Sequence, residues 1–297
     1  MFWLFASVYI FSVGTPGPRV GYPFVTEIYW NQQTRWIFFY HCFGLLWINS
    51  FIVGCTQFII GASACIWYFE ANSDSKGKGS VWTGFKWVAI YHWASVAFGA
   101  LIIAICQTIR IIFEYYRRKM GMMSKEIKWV KVMLAITGWM LWLLENCIKY
   151  ITKNAYIQIA LTNNSFFKSA WNAFALIIKN AHRFGFTASI GGVFLGFGVL
   201  SVAGVVSGSV YVFMTNEIAL MGVTSPIPTT VVAGIMAACI TMLFLSIFSF
   251  ASDAILQSFL MDEELGFSGN SRPTYMQEFA NTLKNRGKTC CSSFTCW

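Results

Sequence analysis

Residues 145–174 form a polar stretch whose side chains could bind a solute or satisfy free backbone groups. It reads ENCIKYITKNAYIQIALTNNSFFKSAWNAF, with lysine, asparagine, threonine and serine side chains inside a strongly apolar chain. Such side chains can satisfy backbone groups that are freed where a helix breaks inside a membrane protein, and transporters often place substrate beside such breaks. On composition alone, the stretch could lie on an open surface, form half of a substrate cavity or be the remnant of one.

Several side chains have the chemistry for holding an organic solute. Tyr156 and Phe174 carry rings that could face a cation, although aromatic residues at helix contacts more often serve packing. Gln57 and Gln107 lie deep within apolar segments, where an amide could line a pore or bridge two helices by hydrogen bonds. Asp253 could reach water or pair with a basic side chain.

Enzymatic and metal chemistry find no support in the sequence. His41, His92 and His182 share no common spacing, and the cysteines lack the paired spacing of a zinc site. The chain has no Gly-x-Ser-x-Gly, phosphate-loop or His-Glu-x-x-His motif. We therefore expect no enzyme, no catalytic residue, no metal and no cofactor.

Composition indicates an integral membrane protein. The chain has 297 residues, of which 57% are hydrophobic and 11% charged, and its mean hydropathy is +0.58. Soluble domains carry about a quarter charged residues. The net charge of +9 comes largely from basic residues between apolar segments, so we expect no nucleic-acid partner. Eleven Lys or Arg against two acidic residues between 117 and 183 place that stretch on the cytoplasmic side or its organellar equivalent.

The apolar segments predict an all-α, polytopic transmembrane bundle with amphipathic or re-entrant helices between spans. Four spans are expected at about 37–69, 88–116, 190–214 and 227–261, with a short apolar helix at 1–13 and a proline-rich loop at 14–36. Small residues at 192, 196, 204 and 208 predict a face for close helix packing. The transmembrane domain would occupy residues 1–261 and a C-terminal tail residues 262–297.

The region 122–186 leaves the topology open. Residues 132–144 are apolar enough to enter lipid, but they run directly into Lys149 and Lys153. The segment could be an interfacial helix, a re-entrant element or a full span. Charge counting favours no extra crossing here. In the tail, Cys290, Cys291 and Cys296 follow basic residues, which fits either S-acylation or unmodified thiols.

Three blocks of the sequence, in order, resemble the choline transporter-like family. The first is QFIIGASACIWYF with HWASVAFGALIIAICQTIRIIFEY, the second is the run from Asn154 to Arg183, and the third is SDAILQSFLMDEELGFSGNSRPTYM. In the second block the matching residues are Asn154, Ala155, Tyr156, Ile157, Phe166, Ser169, Ala170, Asn172, Ala173, Phe174, Asn180 and Arg183. The resemblance covers about residues 40–280 and corresponds to the C-terminal half of family members.

The resemblance implies transport of a small organic cation or related polar solute by alternating access. The resemblance favours a polar stretch that forms a broken element packed against helices. It also implies that the loop between the helices within residues 129–186 faces outside. The candidate substrate-binding residues are Asn154, Tyr156, Ser169, Phe174, Lys179, Asn180, Gln57 and Gln107. Family members commonly have about twice this length. The resemblance also places Lys179 where choline-carrying relatives can have an acidic residue. A fixed positive charge at that position would repel choline.

Two functions follow as expectations. The first is a transporter-like protein that acts alone or with a partner supplying further helices. The second is a transport-inactive relative serving as an accessory subunit of a larger membrane complex. In either case we expect the lipid bilayer, other membrane subunits or a second copy as partners. The sequence does not distinguish the plasma membrane from an organellar membrane, including a mitochondrial one.

Overall fold

The computed structural model describes residues 2–19, 22–70, 80–123, 128–221 and 225–265. These residues form a helical protein with one short β-hairpin. The elements are α1 (Phe2–Ser12), β1 (Thr15–Arg19), β2 (Tyr22–Tyr29), α2 (Gln32–Glu70), α3 (Val81–Lys86), a π-helical turn (Trp87–His92), α4 (Trp93–Met123), α5 (Lys128–Thr162), α6 (Phe166–Lys179), α7 (Ala181–Met221) and α8 (Ile227–Leu265). The tail cysteines lie outside the described residues.

Five helical segments are long and apolar enough to cross a membrane. They are Gln32–Glu70, Val81–Met120, Trp129–Thr162, Ala181–Asn216 and Ile227–Leu265. Four of them contain the four spans expected from the sequence. The fifth corresponds to α5, whose 35 residues extend about 50 Å at 1.5 Å per residue. Of the three alternatives for residues 132–144, a full span is the one that α5 fits by length and composition. The chain is an all-α, multi-pass integral membrane protein.

The segment 15–29 is a β-hairpin where the sequence predicts a loop. β1 pairs with β2 in an antiparallel register, with Thr15 opposite Tyr29 and an irregularity between Pro18 and Arg19. Proline is compatible with a two-stranded ribbon, because each strand is an edge and half of its N–H groups need no ladder partner. The Tyr29 hydroxyl donates to the Pro18 carbonyl at 3.0 Å. α2 then begins at Gln32, five residues earlier than expected.

Residues 1–56 and 88–153 form one compact unit, called unit 1. Its α1 packs on α2 through Trp3, whose ring stacks on His41 with centroids 4.5 Å apart. Ser7 Oγ lies 3.0 Å from His41 Nε2. The indole N–H of Trp47 on α2 donates to the Ala97 carbonyl on α4 at 3.1 Å. Aromatic residues with a polar edge therefore join the helices of this unit.

The described residues within 57–87 and 154–265 form the second unit, unit 2. Its α7 and α8 pack closely at Gly198, where an added Cβ would lie 2.9 Å from Leu245 Cδ1, and at Gly234, where it would lie 2.3 Å from Ser207 Oγ. The glycines at 192, 196, 204 and 208 have nothing within 4 Å of an added Cβ among the described residues. The packing predicted for those four glycines therefore occurs at two other glycines instead.

Candidate functional site

The C-terminal end of α5 is enclosed on every side within unit 2. All six residues from Asn154 to Ile159 are buried, and Tyr156 and Ile157 have no exposed surface. Consecutive helical residues point in all directions around the axis, so burial of six in a row means that other elements surround this segment. Polar side chains placed here must find protein partners.

The chain breaks directly after this segment, at residues 163–165. Asn163 has a φ of 55°, in the left-handed region that asparagine tolerates better than most residues. The Thr162 hydroxyl donates to the Gln158 carbonyl at 2.7 Å, and the Ser169 amide donates to the Ser165 carbonyl at 3.0 Å where α6 begins. The Ser169 hydroxyl donates to the Asn164 carbonyl at 3.5 Å, whereas Ser165, which precedes α6, makes no side-chain capping bond.

Amide side chains from α5 and α8 form a buried hydrogen-bonded group. Gln257 Nε2 donates to Gln158 Oε1 at 2.9 Å and to the Asn154 carbonyl at 3.3 Å. Gln158 Nε2 lies 3.2 Å from Met261 Sδ. Gln257 Oε1 is buried without a hydrogen-bond partner among the described residues. The group therefore retains one acceptor that a ligand or a water could use.

A carboxylate and a tyrosine meet about one turn further along α8. The Tyr68 hydroxyl donates to Asp262 Oδ2 at 3.1 Å, and Tyr68 and Asp262 are 0% and 1% exposed. A buried carboxylate beside aromatic rings is the chemistry that recognises a quaternary ammonium ion, which attracts ring faces and negative charge but donates no N–H hydrogen bond. Among the described residues of unit 2, this pair is a candidate for cation binding.

Apolar clusters flank both polar groups. The first comprises Ala64, Cys65, Ile157, Phe250 and Ala254. The second comprises Tyr68, Leu176, Phe184, Phe259 and Leu260. They join the ends of α2, α5 and α8 to α6 and the start of α7. This packing keeps water away from Asp262 and so strengthens electrostatic interactions of its carboxylate.

Two ion pairs connect the junction of α6 and α7 to the end of α8. Lys179 Nζ pairs with Glu264 Oε1, and Arg183 Nη1 lies 2.5 Å from Glu263 Oε2. The Lys179 and Arg183 side chains are 66% and 30% exposed. The repulsion of choline expected from Lys179 is therefore weakened, because the ammonium group is partly hydrated and has a carboxylate partner.

The eight residues proposed from the sequence occupy different environments. Asn154, Tyr156 and Ser169 are buried in unit 2, whereas Phe174 and Lys179 are exposed on α6. Asn180 is half-buried, and its Nδ2 donates to the Leu176 carbonyl at 3.1 Å. Gln57 and Gln107 are half-buried in units 2 and 1, respectively. The structure thus places three of the eight in the buried part of unit 2 that contains the polar groups.

Sequence reasoning missed four residues of these groups: Tyr68, Gln158, Gln257 and Asp262. The available signal was helical spacing. Gln257 and Met261 are four residues apart, as are Ser258 and Asp262, so each pair lies on one face of α8. Gln257, Ser258 and Asp262 thus continue α8 beyond its apolar part with polar side chains, which is a signal for Gln257 and Asp262, whereas this spacing does not single out Tyr68 or Gln158.

Comparisons with known proteins agree with the resemblance found in the sequence. The family model described as "Plasma-membrane choline transporter" matches residues 1–264. The chain is 28% identical to choline transporter-like protein 2 of Dictyostelium discoideum over 98% of the chain and 46% of that protein. It is 29% identical to human choline transporter-like protein 2, over 83% of the chain and 36% of the relative, and 29% identical to choline transporter-like 2 of Drosophila melanogaster, over 83% and 31%.

The chain thus spans between 31% and 46% of the length of these curated relatives. The family match begins at the first residue and ends at the last turn of α8, so it includes every element that forms the buried polar groups. Since that match covers most of the sequence, this chain belongs to the plasma-membrane choline transporter family.

Proposed function

We propose that the chain carries the cation-binding part of a transporter for choline or a closely related small quaternary ammonium compound. The observation that carries this proposal is the family match over residues 1–264, together with relatives that are named choline transporter-like. The buried pair of Tyr68 and Asp262 supplies the chemistry that such a cation requires. Family membership supports a transporter-like role, and the pair supports a quaternary ammonium compound as the substrate class.

Binding would use the carboxylate and the ring together. The Asp262 carboxylate would balance the charge of the ammonium group, and the face of Tyr68 would contact its methyl groups. Five residues turn a helix by about 140°, so Gln257 faces α5 on another side of α8 and is a polar contact separate from the Tyr68–Asp262 pair.

The ion pairs at the end of α8 would allow α8 and the junction of α6 and α7 to separate and close again. Exposed ion pairs contribute only about 0–1 kcal/mol each, so they can break and form again at little cost. Opening between α8 and the junction of α6 and α7 would give Asp262 access to water. The Lys179–Glu264 and Arg183–Glu263 pairs would then hold the closed arrangement.

Competition during uptake tests the proposal. Liposomes containing the purified chain should accumulate labelled choline, with uptake inhibited by excess unlabelled choline and, more weakly, by tetramethylammonium. Equal concentrations of ethanolamine should inhibit least, because a primary ammonium is strongly hydrated and loses more on entering an aromatic site. Uptake that ethanolamine inhibits as well as choline would contradict the assignment of a quaternary ammonium site.

A second candidate function is that of a subunit in a larger membrane assembly. The observation in its favour is the open face of α7, where a Cβ added at Gly192, Gly196, Gly204 or Gly208 would have no described side chain of another element within 4 Å. Native mass measured in mild detergent, with mass spectrometry of co-purifying proteins, separates the two. A subunit should migrate with stoichiometric partner chains, whereas a self-sufficient transporter should migrate alone or as a small homo-oligomer.

A further inference from the structure

A groove between α4 and α5 of unit 1 lies outside the candidate cation site and has its own chemistry. Its volume is about 470 Å³, within the usual range for small-ligand sites. Three arginines and one glutamate of α4 line it together with two tryptophans of α5: Arg110, Glu114, Arg117, Arg118, Trp139 and Trp142. The transporter function uses none of these residues.

The groove carries an excess of positive charge. Arg117 Nε and Arg118 Nε lie 2.7 and 3.0 Å from the carboxylate of Glu114. Arg110 Nε lies 2.5 Å from Glu145, which Lys149 also contacts at 2.6 Å. Four basic side chains therefore share two carboxylates. Two positive charges remain uncompensated within this group.

The arginines also retain unused hydrogen-bond donors. A guanidinium has five N–H groups in a planar fork that matches phosphate oxygens. Arg117 directs Nε and Nη2 to Glu114, and Arg118 directs only Nε there. Among the described contacts, the Nη1 group of Arg117 and both terminal amino groups of Arg118 remain available for another acceptor. Together they can bind one phosphate through several hydrogen bonds.

The surroundings of the groove favour a lipid over a soluble anion. Trp139 and Trp142 are 60% and 49% exposed, and tryptophan concentrates where headgroups meet hydrocarbon. Ile111 and Ile136 are 53% and 50% exposed, and they extend the apolar surface beside the arginines. With α5 as a span, only the connection from α4 to α5 bears on this end of the groove, and its six Lys or Arg against one Glu between residues 117 and 131 indicate the cytoplasmic side, where anionic lipids concentrate.

We propose that this groove binds the phosphate-bearing headgroup of an anionic phospholipid. The arginines hold the phosphate, the tryptophans contact the glycerol region, and the acyl chains lie along the apolar faces of α4 and α5. A zwitterionic lipid offers the same phosphate, but its ammonium group meets the uncompensated positive charge. The groove therefore discriminates by net headgroup charge.

Lipid exchange measured by native mass spectrometry tests this proposal on the full chain. Delipidated protein in detergent is mixed with equal amounts of phosphatidylglycerol and phosphatidylcholine of matched acyl chains. Retained phosphatidylglycerol should exceed phosphatidylcholine. The double variant Arg117→Gln/Arg118→Gln should reduce this preference roughly tenfold or more, since each basic residue near an anionic surface contributes about fivefold.

Two further variants test whether the lipid preference arises in the groove: one with the same charge change elsewhere, and one expected to increase the preference. Lys119→Gln/Lys168→Gln removes the same net charge from exposed positions that do not line the groove and should leave the preference unchanged. Glu114→Gln should increase it, because the arginines lose their carboxylate partner. Equal loss in the control variant would overturn the proposal, as would loss of the lipid preference on adding millimolar inorganic phosphate, which would assign the groove to a soluble anion.

Discussion

Replacing Asp262 with asparagine should lower the apparent affinity of saturable choline uptake by roughly thirtyfold or more while leaving the protein folded. Asparagine has nearly the same shape and retains an oxygen that can accept the Tyr68 hydroxyl, so the contact at 3.1 Å can persist. The negative charge is lost. Removing one partner from a buried charge pair costs about 2–5 kcal/mol, which corresponds to a loss of roughly thirtyfold or more in apparent affinity for the cation.

The adjacent residue provides the control for this experiment. Glu263→Gln removes the same charge one residue away on α8, but that side chain is 49% exposed and pairs with Arg183 at the surface. An exposed pair contributes about 0–1 kcal/mol, so the apparent affinity for choline should stay within about fivefold of the unmodified chain. Saturable uptake with unaltered affinity in Asp262→Asn would remove Asp262 from the site.

Replacing Tyr156 with alanine should lower the free energy of unfolding by about 3–5 kcal/mol, the range for large aromatic residues in cores. Tyr156 has no exposed surface, and its ring lies 6.3 Å from that of Phe166, centroid to centroid, across the chain break. The cavity left by alanine would be enclosed, because neighbouring residues of α5 are buried as well. Denaturant unfolding of the detergent-solubilised protein measures the effect.

Two further substitutions separate packing from substrate binding at this position. Tyr156→Phe keeps the ring and should lower the free energy of unfolding by no more than about 1.5 kcal/mol. Tyr91→Ala, at a tyrosine that is 71% exposed, should change it by no more than about 0.5 kcal/mol. If Tyr156→Ala were as stable as Tyr91→Ala, the enclosed position of Tyr156 would be wrong. Loss of uptake in Tyr156→Phe, with stability retained, would indicate that the hydroxyl contacts substrate.

The general architecture could be predicted because its signals are local. Long apolar runs predicted four spans, and the ordered blocks of sequence predicted the family. Both the all-α class and the family are confirmed. At the chain break, the left-handed φ of Asn163 and the bond from the Ser169 hydroxyl to the Asn164 carbonyl also fit the residue types, since such side chains bond to nearby backbone.

The fifth apolar helix was harder to predict because its charges are compensated from another helix. Glu145 and Lys149 interrupt the apolar pattern of α5 and suggest that a span ends before them. In the structure, Glu145 is 3% exposed and pairs with Arg110 of α4, 35 residues earlier in the chain. Such a pairing lowers the cost of charge in a buried setting, but a single sequence does not reveal it.

The candidate cation site escaped prediction for a similar reason. Asp262, Glu263 and Glu264 are consecutive acidic residues, and such a run usually indicates a solvated tail. α8 continues through them to Leu265, and the turn of about 100° between successive helical residues directs Asp262 inwards and the two glutamates outwards. Tyr68 is 194 residues away in sequence, so nothing local indicated its contact with Asp262.

Equilibrium binding of labelled choline to the purified chain tests the central claim most directly. The proposed binding groups, Tyr68 and Asp262, both lie in unit 2 of this chain, so binding can be measured on the chain itself. We predict saturable binding that tetramethylammonium inhibits, that Asp262→Asn weakens by roughly thirtyfold or more, and that Glu263→Gln leaves within about fivefold. Saturable binding of equal strength in all three proteins would contradict the assignment of Asp262, and absence of saturable binding by the folded chain would contradict the site itself.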